Sequence, residues 1–81
     1  MKTLIEMTLA YYNKLLAGVA ESDREYAILK NGLLIRYGDN NDDLRTIIIL
    51  CQSDEADQIF ELATRLFPGV APEIRKYAAL D

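Results

Sequence analysis

Asn31-Gly32 is the dipeptide that most restricts what this chain can fold into. Both residues tolerate positive φ, which a type I′ turn requires at its two central positions, and that turn matches the twist of the strands it joins. On either side lie Glu25-Tyr26-Ala27-Ile28-Leu29-Lys30 and Leu33-Leu34-Ile35-Arg36-Tyr37. The pattern predicts a β-hairpin. A two-residue loop then fixes the register, with Ile28 facing Ile35, Tyr26 facing Tyr37 and Leu29 facing Leu34.

Periodicity assigns the segments around the hairpin. Thr3-Leu4-Ile5-Glu6 has the form of a capping box. After it, Leu4, Ile5, Thr8, Leu9, Tyr11, Tyr12, Leu15, Leu16 and Val19 recur at three- and four-residue spacing, which predicts an amphipathic helix ending near Gly18. Gly38-Asp39-Asn40-Asn41-Asp42-Asp43 reads as a polar loop, and Leu44 to Gln52 as a third strand rich in β-branched residues. Ser53 suits a helix N-cap, with Asp54 and Glu55 at the positive end of the dipole. Ala56, Ile59, Phe60, Ala63, Leu66 and Phe67 form that helix's apolar stripe, and Phe67-Pro68-Gly69 ends it. Pro72 opens a last short helix carrying Ile74, Tyr77 and Ala78.

The expected fold is therefore a single α+β domain over residues 1–81. Its two layers comprise a helix, a three-stranded antiparallel meander, a second helix and a short C-terminal helix. A half-buried strand should alternate apolar and polar residues. One face of this hairpin collects Tyr26, Ile28, Leu33, Ile35 and Tyr37, yet the other still carries Ala27, Leu29 and Leu34. In the third strand Ile48 and Leu50 point one way, and Ile47, Ile49 and Cys51 the other. Either the helices split across the sheet, or the second face meets another chain. Small size favours the second arrangement, because an 81-residue core is marginal and a partner enlarges it. The expected interface is Leu29, Leu34, Ile47 and Ile49, with Tyr11 beside them.

Composition then narrows the function classes. At 51% hydrophobic and 27% charged residues the chain has globular, not disordered, content. Its net charge of −4 and scattered cations argue against direct nucleic-acid binding. Glu6 interrupts any N-terminal apolar core, and no run approaches the length of a membrane span, so a cytoplasmic location without membrane contact is expected. Lone Cys51, within an aliphatic run, reads as a small buried hydrophobe.

Catalytic chemistry finds little support. The chain has no histidine, which removes the commonest general base and every Ser-His or Cys-His arrangement. Neither Ser22 nor Ser53 lies in a nucleophile elbow, and the four glycines are too dispersed to cradle a phosphate. Asp39, Asn41 and Asp43 match the first ligands of a calcium loop, but Leu44 and Leu50 stand where glycine and glutamate are needed. No catalytic, cofactor-binding or metal residues are expected. The leading expectation is a non-enzymatic, homodimeric protein–protein interaction module. A sharper version is an inhibitor or immunity-type protein whose acids, Asp39, Asp42, Asp43, Asp54, Glu55 and Asp57, engage a basic target. A small acidic secretion-type chaperone and a small-ligand-binding domain are the alternatives.

Overall fold

The computed structural model describes residues 2–31, 33–37 and 45–78, with the backbone alone at 31, 33–37 and 78. In chain order it contains β1 (Lys2–Thr8), α1 (Leu9–Ala17), α2 (Arg24–Asn31), β2 (Leu33–Tyr37), β3 (Thr46–Gln52), α3 (Ser53–Leu66) and β4 (Arg75–Ala78). The strands form one sheet in the order β2-β3-β1-β4, every neighbouring pair antiparallel. β1 and β2 therefore run the same way with β3 inserted between them. That is the split β-α-β, or ferredoxin-like, topology, with its first helical connection broken into α1 and α2.

β1 pairs along its whole length with β3, from Lys2 opposite Gln52 to Thr8 opposite Thr46. Alternation sets which side of each strand is covered. Thr3, Ile5 and Met7 of β1 and Ile47, Ile49 and Cys51 of β3 are buried, whereas the residues between them are half-buried or exposed. Onto the buried side pack Tyr11, Tyr12 and Leu15 of α1, Ile28 and Leu29 of α2, and Ala56, Ile59, Leu62 and Ala63 of α3, in one continuous core. All three helices thus lie on one face.

Local devices tie the layers together. The Thr8 hydroxyl caps α1 by accepting from the Tyr11 amide at 3.2 Å. Gly18 closes that helix where it meets α3: a β-carbon there would fall 2.5 Å from Leu66 Cδ1. The buried Tyr12 hydroxyl donates to the Leu29 carbonyl at 2.8 Å, satisfying an acceptor in the last turn of α2 that has no partner further along the helix. Thr3 Oγ1 and Ser53 Oγ hydrogen-bond at 2.8 Å, joining the sheet to the start of α3.

The α+β class, the antiparallel sheet, β3 and α3 agree with expectation, and three segments do not. Residues 3–8 form a central strand and not a helical turn, because Lys2 to Thr8 also fits a two-residue period and gains a full ladder with β3. The capping box at Thr3 is overridden, and Thr8 takes the capping role. Residues 25–30 are helical, so the hairpin register onto β2 does not form. Arg24, Glu25, Ala27, Leu29 and Lys30 are good helix formers, and Asn and Gly are also the residues favoured just past a helix end. The expected C-terminal helix is instead β4, which pairs with Thr3 to Glu6. The α3 cap also moves one residue, to Gln52, whose amide donates to Glu55 Oε1 at 2.8 Å.

Tyr12→Phe keeps the ring packing and orphans the Leu29 carbonyl. It is expected to cost about 1–2 kcal/mol in urea unfolding. A variant as stable as the parent would mean the hydroxyl contributes nothing to holding α2.

Candidate functional site

The face of the sheet opposite the helices is the feature most able to act on another molecule. Register identifies its residues. Leu4 stands opposite Leu50 on one side and Tyr77 on the other, Glu6 lies between Ile48 and Arg75, and Thr8 faces Thr46. Leu4, Ile48 and Leu50 are half-buried, Tyr77 is 39% exposed, and none of them belongs to the core beneath the helices. Side chains on one face of adjacent strands stand about 5 Å apart, so Leu4 and Leu50 touch and Ile48 extends the strip.

Polar groups border this strip. The Arg75 guanidinium donates to the Tyr77 hydroxyl at 3.2 Å, and that hydroxyl donates to Glu6 Oε1 at 3.4 Å. The hydrogen bond to Tyr77, and the nearby Glu6 carboxylate after it, raise the Arg75 pKa above its usual value. Within this network the Arg75 and Glu6 charges offset each other, and Lys2 adds a further cation on the same face.

The residues singled out from sequence are distributed differently. Tyr11, Leu29, Ile47 and Ile49 are buried in the chain's own core, so the interface expected of them is not exposed. Leu34 lies in β2, where only the backbone is described. The error is one of parity. Once 25–30 is helical and β1 is the sheet's centre, Ile47 and Ile49 turn toward the helices and Ile48 and Leu50 away. The alternation from Lys2 to Thr8 is the signal that could have revealed this.

Of the acids singled out from sequence, the three among the described residues, Asp54, Glu55 and Asp57, lie together at the start of α3. Asp54 and Asp57 are exposed on α3, 3.9 Å from Arg24 and 3.3 Å from Lys76 respectively, while Glu55 caps its own helix. Asp39, Asp42 and Asp43 lie outside the described residues, as does the loop tested for calcium ligands. Where β1 runs past the end of β4, an open depression of about 390 Å³ is lined by Met7, Thr8, Thr46, Pro72, Glu73 and Ile74. Among the described residues no group of acids and cysteines could hold a metal ion, and no helix is long and apolar enough to cross a membrane.

Cys51 sits on the covered side of β3. Burial, with Glu55 and then Asp54 adding and Lys76 opposing, pushes its thiol from 9.0 up to about 11. A thiol protonated at neutral pH is a poor nucleophile. No family model matches the chain, and neither a curated protein nor a solved structure matches it.

Parity can be read from a pair of substitutions. Ile49→Ala should cost about 2–5 kcal/mol by opening a core cavity, while Ile48→Ala, one residue away, should cost less than about 1 kcal/mol in chemical denaturation. Equal costs would contradict the placement of the two faces. For Cys51, the raised folded-state pKa means its contribution is complete below pH 9.0 and is lost as pH rises through about 11. Between those limits the parent should lose up to about 2–3 kcal/mol relative to Cys51→Ala, measured by unfolding each at a series of pH values. Parallel pH profiles would rule out this linkage.

Proposed function

We propose that this chain is a non-enzymatic interaction module that works by presenting the open face of its sheet to another protein surface. The observation that carries the reading is the apolar strip of Leu4, Ile48, Leu50 and Tyr77, which no helix of the described residues overlies. Partly exposed apolar side chains gathered on one face and rimmed by polar groups suit a docking surface on a small domain. Tyrosine at its edge adds apolar area with a hydrogen-bonding tip. The absence of histidine from the sequence and the protonated state of Cys51 favour binding over catalysis.

The inhibitor-type version, in which acids meet a basic target, ranks second. Asp54 and Asp57 are exposed on α3, which favours it, but each already has a cation of the same chain nearby. Exposed pairs of this kind are worth at most about 1 kcal/mol, so a strongly basic partner could displace them. The two versions use opposite layers of the molecule, and substitutions separate them.

Tagged protein carrying Ile48→Lys with Leu50→Lys should lose whatever proteins the parent captures. Asp54→Asn with Asp57→Asn should retain them. The reverse result would move the function to the helical layer, and capture unaffected by both pairs would remove the sheet face as the docking surface.

A further inference from the structure

We draw no further inference here: the strongest candidate, the apolar strip of Leu4, Ile48, Leu50 and Tyr77 on the open face of the sheet, is already the surface of the proposed function, and nothing in the structure shows what covers it.

Discussion

The pairing of β1 with β3 holds the rest of the structure in place. Ile5 and Ile49 are partners at the middle of that ladder, both fully buried. They face the same way as Met7, Ile47 and Cys51, and the helices pack where that apolar row is. β2 adds to the far edge of β3 and β4 to the far edge of β1, so every strand depends on the central pair. The two strands are also far apart in the chain. Forming their ladder closes a loop of roughly forty residues, and the entropy of that closure has to be offset by what the ladder buries.

The same pairing creates the molecule's asymmetry. A four-stranded sheet has two faces, and all three helices of the described chain serve one of them. What remains on the other is decided by alternation alone: Leu4, Glu6 and Thr8 from β1, and Thr46, Ile48 and Leu50 from β3. Had these been uniformly polar, the fold would read as a two-layer domain with a solvated sheet. Instead three aliphatic side chains and a tyrosine stand together beside a small network of Arg75, Tyr77 and Glu6. Among the described residues the helical layer carries the acidic excess, while the open face of the strands carries Lys2 and Arg75 against Glu6.

Much of this is legible in the order of the residues. The β-branched run of Thr46 to Ile49 reads as a strand whatever surrounds it, and Ser53 to Leu66 combines acids in its first turn with a helical apolar stripe. Sequence reasoning fails where two patterns are superimposed. Leu4, Ile5, Thr8 and Leu9 fit a helical period with Tyr11, Tyr12 and Leu15, while Thr3, Ile5 and Met7 fit the two-residue period of a strand. Residues 25–30 carry strand-compatible tyrosine and isoleucine in a stretch otherwise made of helix formers. Arg75 to Ala78 is too short to show any period, and becomes a strand only because the free edge of β1 is there to pair with.

By itself, then, the sequence determined the class: an acidic α+β chain without histidine, with more aliphatic residues in its strands than one layer of helices covers. It also determined that a strand near 46–52 leads directly into a helix at 53–66, because composition and local capping suffice for both. Tertiary structure alone decided which parity of that strand is covered. Side chains alternate with a period of two, so a choice made elsewhere, namely that Lys2 to Thr8 joins the sheet at its centre, turned Ile47 and Ile49 inward and left Ile48 and Leu50 outward. No local propensity carries that information, because both arrangements give each residue the same backbone conformation.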